Sequence, residues 1–451
     1  MFQKILIANR GEIALRIIRA CRELGIRTVA IYSQADAEAL HAQLADEAIC
    51  IGPSAAAESY LDMERILSAC IAAKADAIHP GFGFLSENSM FAGVCKDCNI
   101  KFIGPKGSVI DALGNKANAR QMMINAGVPV IPGSDGILAD VEQAYEMADK
   151  LGYPVIVKAS AGGGGKGIRI VRKKEELKEA FLSAQSETKA AFGDDSMYME
   201  KLIEGARHVE VQILGDSFGN VIHLGERDCS LQRKNQKVLE ETPCEVLSES
   251  TRAKICDSAV RAAKAAGYEN AGTIEFLYDE DSDKYYFMEM NTRIQVEHPV
   301  TEMVSGVDLI KEQIYIAAGL PLDLTQEEIT LRGHALECRI NAEDPKKNFM
   351  PCPGKLGQIH LPGGFGVRVD TAIYGGCEIS PYYDSMAAKV IVHDRTRQGA
   401  IQKMRSALGE LVLEGITTNL DFQFQILDDE DFINGNFDTS FIEKKFQMEK
   451  E

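Results

Sequence analysis

No stretch of this chain approaches the ~18 consecutive apolar residues that a membrane-spanning helix needs. Its start, MFQKILIANRGE, has one lysine before a very short apolar run and lacks the apolar region and small-residue cleavage site of a secretory signal. Positive charge is in deficit: 49 lysines and arginines face 67 aspartates and glutamates, a formal net charge of -18. A general nucleic-acid binder needs a basic face to neutralise phosphates, so that class is excluded, while a local basic pocket for an anion is not. The G-x-G-x-x-G fingerprint of dinucleotide-binding units is absent, which excludes a nicotinamide or flavin cofactor. A Walker A loop is absent too, because Gly167 is followed by Ile168 and a strand-like run rather than a helix. The 11 cysteines form no framework; their odd number in a chain without a secretory signal reads as reduced thiols. Cys95 and Cys98 make a lone C-x-x-C, half of what a zinc site requires. What is left is a soluble, cytoplasmic protein, and 451 residues at 45% apolar and 26% charged suit two to four globular domains.

The most informative stretch that is present runs from residue 289 to 299, EMNTRIQVEHP. Glu289, Asn291, Arg293, Gln295 and Glu297 alternate with Met290, Thr292, Ile294 and Val296. In an extended strand alternate side chains share a face, so two acids, two amides and an arginine fall on one line. A solvated edge-strand face is the bland alternative, but the apolar intervals predict a packed back, with Pro299 closing the run. Upstream, TIEFLY and KYYFMEMN are joined by DEDSD as a hairpin, whose antiparallel pairing brings Glu275 opposite or diagonal to Glu289. These carboxylates and the Asn291 oxygen are hard ligands suited to Mg²⁺ or Mn²⁺. Without a metal, two such close carboxylates would repel and one pKa would rise.

Around this stretch the chain reads as α/β and α+β. KILIANRGEIALRIIRACRELG and TVAIYS open a doubly wound α/β unit. After the strand ADAIHP, the loop GFGFLSEN carries Glu87 at a strand end, where α/β sites form; a helix-starting acid is the competing reading. Helices are expected near 60–74, 108–126, 139–151, 174–190, 250–266, 305–319 and 396–412. In PVIVKASAGGGGKGIRIV two β-rich runs flank a glycine loop whose bare N–H groups could wrap phosphates as a nest, with Lys158 adding a point charge. His208, Glu210 and Gln212 share a strand face. LQRKNQKVLEETP alone would be a solvated charged loop. Arg339 lies in an alternating strand on the side of Glu337, and pattern alone favours an exposed arginine.

In this order, the strand, glycine hairpin, Glu275 and Glu289-Met290-Asn291 resemble an ATP-grasp ligase. KILIANRGEIA, HPGFGFLSEN, GGGGKG and EMNTRIQVEHPVTE resemble the biotin carboxylase subunits of bacterial biotin-dependent carboxylases, those of acetyl-CoA carboxylase most of all, from Met1 to about residue 445. The resemblance implies an N-terminal α/β domain (1–115), an ATP-grasp domain (116–330) with a mobile lid at 131–204, and a C-terminal mixed β domain (331–446). It implies that Lys116, Lys158, Gly164 and Gly165 meet ATP phosphates, and that Glu200, Lys201, Ile203, His208 and Gln232 surround the adenine. Glu275, Glu289 and Asn291 would hold Mg²⁺ or Mn²⁺ with ATP. Lys237, Arg293, Gln295 and the Val296 backbone would bind bicarbonate, Glu297 would take its proton, and Arg339 would stabilise the biotin enolate. Asn235 stands where many members have histidine, and Phe82 where tyrosine is common. The sequence ends without an A-M-K-M biotinyl stretch or a carboxyltransferase domain, so biotin is expected on a separate carrier protein, with carboxyltransferase subunits as further partners and a homodimer as the assembly. Other acceptors (pyruvate, propionyl-CoA) or an ATP-grasp carboxylate–amine ligase are the alternatives.

Overall fold

The computed structural model describes residues 1–134, 136–159 and 167–446, so Gly164 and Gly165 of the expected lid lie outside the described residues. Strands β1 (Lys4–Ile7), β2 (Arg27–Ser33), β3 (Glu47–Gly52), β4 (Ala77–His79) and β5 (Lys101–Phe102) form a parallel sheet in the order β3-β2-β1-β4-β5. Ile5, Leu6 and Ile7 are fully buried, as befits a parallel strand covered on both faces. Strand order reverses between β1 and β4, and the crevice at such a reversal is where α/β sheets hold ligands. The GFGFLSEN loop leaves β4 there. Asn9 after β1 donates to the Pro80 and Phe82 carbonyls, both at 2.7 Å. Gly81 has φ +62°, and a Cβ on it would meet the Asn9 amide at 3.0 Å, so both backbone and space require glycine.

The described residues between 131 and 204 build a small body of their own. Strands β6 (Val155–Ala159), β7 (Ile168–Val171) and β8 (Met197–Lys201) pair antiparallel in the order β7-β6-β8. Helices Val141–Leu151 and Leu177–Phe192 close a separate apolar core over them, including Val155, Val157, Leu177, Phe181, Met197 and Met199.

The largest sheet is antiparallel and eight-stranded. It takes β9 (Arg207–Gly215), β10 (Val221–Arg233), β11 (Gln236–Thr242), β12 (Asn270–Asp279), β13 (Lys284–Asn291), β14 (His334–Asn341) and the strands Met386–Asp394 and Val367–Thr371. Their spatial order is β13-β12-β9-β10-β11-β14, then Met386–Asp394 and Val367–Thr371. β11 pairs with β14, so one sheet runs through the expected boundary near 331.

Several sequence expectations change here. The strand expected through Val296 stops at Asn291; residues 292–297 form an irregular loop, and Pro299 lies in the first turn of the helix His298–Ser305 rather than closing a strand. The helix expected at 305–319 is two, because Gly306 ends one in the left-handed conformation and the Asp308 side chain caps the next at Lys311 N. Asn115 likewise splits 108–126 into Gly107–Gly114 and Lys116–Asn125. The charged run 231–243 is not a solvated loop but the β10–β11 hairpin. Its turn residues Lys234 and Asn235 both have positive φ, the backbone of a tight two-residue hairpin that asparagine tolerates well.

Candidate active site

One row of side chains crosses four strands. Glu289 on β13 is directly opposite Glu275 on β12, Glu275 opposite Glu210 on β9, and Glu210 opposite Arg227 on β10. Cross-strand partners share a face at close range, so three carboxylates stand side by side and cations must separate them. Lys237, from β11, reaches into the row: its ammonium lies 2.5 Å from Glu210, 3.2 Å from Glu275 and 2.6 Å from Glu297. Arg227, fully buried, binds Glu210 through Nε at 2.6 Å and donates to Gln212, Thr301 and Thr273. Arg339 on β14 grips Glu240 with Nε at 2.6 Å and Glu297 with its outer nitrogen at 2.8 Å. It is largely buried within this network, not the exposed arginine that its pattern favours.

The irregular loop after β13 is held from outside the sheet. Glu87, in the turn that leads from β4 into the helix Ser89–Asp97, accepts from Thr292 N at 2.8 Å and from Arg293 Nε at 3.0 Å. Arg293 also donates to the Gln295 side chain at 2.5 Å. Asn291 and Gln295 donate to one oxygen of Glu275, at 2.9 and 3.2 Å, and His208 approaches the other at 3.2 Å. Gln232 contacts His208 Nδ1 at 2.6 Å. Lys116 begins its helix and faces Glu289 at 3.5 Å. In the lid, Lys158 and the buried Glu200 pair at 2.5 Å, whereas the Lys201 ammonium donates to the Gly152 and Tyr153 carbonyls. Ile203 lies in the short connection between β8 and β9.

Electrostatics sorts the carboxylates. Burial acts to raise the pKa of Glu297, but Lys237, Arg339 and Arg227 outweigh it and hold the group well below the usual range. Glu275 is likewise held low, burial being overcome by Lys237 and His208; the rise expected from two bare carboxylates does not occur there, because cations fill the gaps. Burial pushes Glu210 up, so a proton in this cluster sits on Glu210 before Glu275 or Glu297. Burial also pushes Glu240 up to about 7, against the opposing pull of Arg339. A raised folded-state pKa favours the fold below pH 4.5 and loses that contribution as pH climbs through about 7. Relative to the wild type, Glu240→Gln should therefore gain thermal stability as pH rises across that window; melting curves at pH 5 and 7.5 check it, and a constant difference would contradict it.

Glu87, Arg227 and Glu240 are functional neighbours that pattern reading left open or missed. For Arg227 the run GERDC in the middle of a long β strand was the available signal, since charges in a central strand need partners. Among the described residues, all 11 cysteines are free thiols, and no helix is long and apolar enough to cross a membrane.

A parallel switch-point domain, a separate three-stranded sheet and a carboxylate row across a large antiparallel sheet together define an ATP-grasp enzyme. Three family models fit in succession: "Biotin carboxylase, N-terminal domain" over residues 1–110, "Carbamoyl-phosphate synthase L chain, ATP binding domain" over 115–325, and "Biotin carboxylase C-terminal domain" over 337–444. The chain belongs to the biotin carboxylase family and is an ATP-dependent ligase. It is 57% identical over 443 residues to biotin carboxylase 1 of Bacillus subtilis, covering 98% of both chains. It is 52% identical to a pyruvate carboxylase subunit of Methanothermobacter thermautotrophicus, covering 98% of this chain and 90% of that one. Among solved structures, the biotin carboxylase of Campylobacter jejuni superposes with a TM-score of 0.95 at 51% identity, covering 98% of this chain and 99% of that chain. The biotin carboxylase domain dimer of the Hydrogenobacter thermophilus 2-oxoglutarate carboxylase, solved with MgADP, ADP and bicarbonate, superposes at 0.93 with 51% identity and 98% of each chain covered.

Proposed function

We propose that this protein uses ATP and bicarbonate to carboxylate biotin borne on a separate carrier protein, as the biotin carboxylase subunit of an acetyl-CoA carboxylase supplying malonyl-CoA for fatty acid synthesis. The observation that carries the reading is Glu297: a buried, ionised carboxylate gripped by Lys237 and Arg339 at the end of a loop that also presents Arg293 and Gln295. Bicarbonate is a weak nucleophile, and removing its proton as it attacks the ATP γ-phosphorus is general-base work. Arg293, Lys237, Gln295 and the Val296 backbone receive the anion. Its arrival places a like charge beside Glu297 and draws Lys237 toward the substrate, and both effects raise the pKa of Glu297 toward that of a competent base. The products of the attack are ADP and carboxyphosphate, which breaks down to CO₂ and phosphate. Phosphate then takes the N1 proton of biotin, Arg339 stabilises the resulting enolate, and N1 attacks CO₂.

Glu275, Glu289 and Asn291 fit Mg²⁺ or Mn²⁺: they are hard oxygen donors on paired strands, and Glu275 is held ionised. When bound, the ion neutralises negative charge on the ATP phosphates. Lys116 and Lys158 add positive charge to them, with Gly164 and Gly165 in the closing lid. Glu200, Lys201, Ile203, His208 and Gln232 border the adenine. Exclusion of water by lid closure protects carboxyphosphate from hydrolysis.

The protein acts in the cytoplasm as a homodimer beside its carrier and carboxyltransferase. The relatives named for pyruvate and 2-oxoglutarate carboxylases, at 52% and 51% identity, favour a second acceptor reading of the same half-reaction. Purified protein should hydrolyse ATP only with bicarbonate present, and free biotin should raise the rate severalfold. Bicarbonate-independent hydrolysis unmoved by biotin would overturn the assignment. A pull-down of the biotinylated carrier, followed by identification of the co-purifying transferase, tells the acceptors apart.

A further inference from the structure

Residues 292–297 lie outside both strand and helix, so their backbone polar groups need partners from elsewhere. The Val296 carbonyl, in the peptide that joins Val296 to Glu297, accepts from the Lys389 ammonium at 2.8 Å. Lys389 is completely buried and sits on the strand Met386–Asp394, directly opposite Arg339 on β14. Arg339 in turn holds the Glu297 carboxylate at 2.8 Å. Two cross-strand partners thus grasp one residue at both ends, Arg339 by its side chain and Lys389 by the carbonyl just before it.

The ammonium is itself fixed by the N-terminal domain. Glu12, in the first turn of the helix Gly11–Glu23, makes a 3.0 Å ion pair with it. The other acids that face Lys389 are already accounted for. Asp370, its register partner on Val367–Thr371, is bound by Arg368 through both oxygens at 2.8 and 2.6 Å. Glu337 is fully buried without a hydrogen-bond partner, and burial pushes its pKa well up; burial pushes Glu12 up as well, against the pull of Lys389, but of the two it is Glu12 that makes an ion pair with the ammonium. Glu12 is therefore the acid that positions the ammonium, and it does so from a different domain than the strand bearing Lys389.

We infer that Lys389, anchored by Glu12, is a positioning residue for the general base: it fixes the Val296–Glu297 peptide so that Glu297 meets bicarbonate in reacting geometry. The inference rests on the proposed role of Glu297. The test compares Lys389→Met, Glu12→Gln and the double variant with wild type, reading melting temperature and the separate kinetic constants for ATP and bicarbonate. Lys389→Met leaves Glu12 buried without its ion-pair partner and should melt early, and the double variant, which removes both charges, should recover much of that loss. Turnover with bicarbonate should nevertheless stay roughly tenfold or more below wild type in both, with the KM for ATP within about twofold, because the Val296 carbonyl has no donor in either. Glu12→Gln, which removes the charge that anchors the ammonium but leaves an amide oxygen beside it, should lower turnover by an intermediate factor. Recovery of turnover together with melting temperature in the double variant, or wild-type turnover in Glu12→Gln, would overturn the inference. Absence of bicarbonate-dependent hydrolysis in the wild type would instead overturn the functional reading beneath it.

Discussion

Glu297→Gln should lower bicarbonate-dependent ATP hydrolysis by roughly 10²–10⁴-fold, the range for losing a positioned general base, while the KM for ATP stays within about threefold. The substitution keeps the shape of the side chain and removes its proton affinity. It also turns an amide N–H₂ toward either Lys237 or Arg339, which now sit 2.6 and 2.8 Å from the two carboxylate oxygens. Neither cation accepts a hydrogen bond, so one of them must withdraw. The loss therefore falls on the step that uses bicarbonate and spares the nucleotide contacts proposed for Lys116, Lys158 and His208. Steady-state kinetics with each substrate varied in turn makes the distinction. Near-normal turnover would move the base elsewhere, and Glu210, pushed up by burial, would be the next residue to substitute.

Lys237→Met should damage both fold and chemistry. One ammonium lies within 3.2 Å of three buried carboxylates, Glu210, Glu275 and Glu297. Breaking a buried ion pair by removing one partner costs about 3–5 kcal/mol, because the remaining charge is left uncompensated. Arg227 still neutralises Glu210 and Arg339 still holds Glu297, so the chain should fold, with a lower denaturation midpoint. Bicarbonate-dependent turnover should fall roughly 10²–10³-fold or more, as for other preorganised donors aimed at developing charge. Denaturant titration and the hydrolysis assay read the two effects separately. A variant with wild-type stability would mean that the three acids share protons among themselves and have no need of the lysine.

Much of this was legible in residue order. The Glu275–Glu289 pairing follows from two alternating runs around an acidic turn, which leave it opposite or diagonal; the strands place the two directly opposite, with a register shift just beyond. Lys237, Arg293, Gln295, Glu297 and Arg339, which family resemblance rather than pattern singled out as a set, lie in one hydrogen-bonded network; periodicity alone would have left Arg339 on the surface. The alternation from Glu289 to Glu297 misled in one respect. Burial alternates past the last strand hydrogen bonds as far as Ile294, because the loop packs between the sheet and the N-terminal domain, with Thr292 and Ile294 buried between half-buried Asn291 and Arg293; it then breaks, since Gln295 and Glu297 are buried and Val296 is half-buried. Period-two burial needs two packed sides, not a ladder. Contacts such as Glu87 with Arg293 and Glu12 with Lys389 span hundreds of residues, and no local pattern encodes them. The splitting of 305–319 was local and readable: Gly306 followed by Asp308 is a stop signal and a start signal in sequence.

The sheet that passes from β11 to β14 determines how this protein can be cut and recombined. A graft with its joint between residues 325 and 337, where the family models part, would replace one side of a hydrogen-bonded strand pair. It would also divide Glu240 from Arg339, and Glu241 from His334 and Arg397. The unit of β6, β7 and β8 has its own three strands and its own core. For chimeras between relatives, residues 131–204 form a natural exchangeable cassette, whereas everything from β9 to the C-terminal strands travels as a single piece.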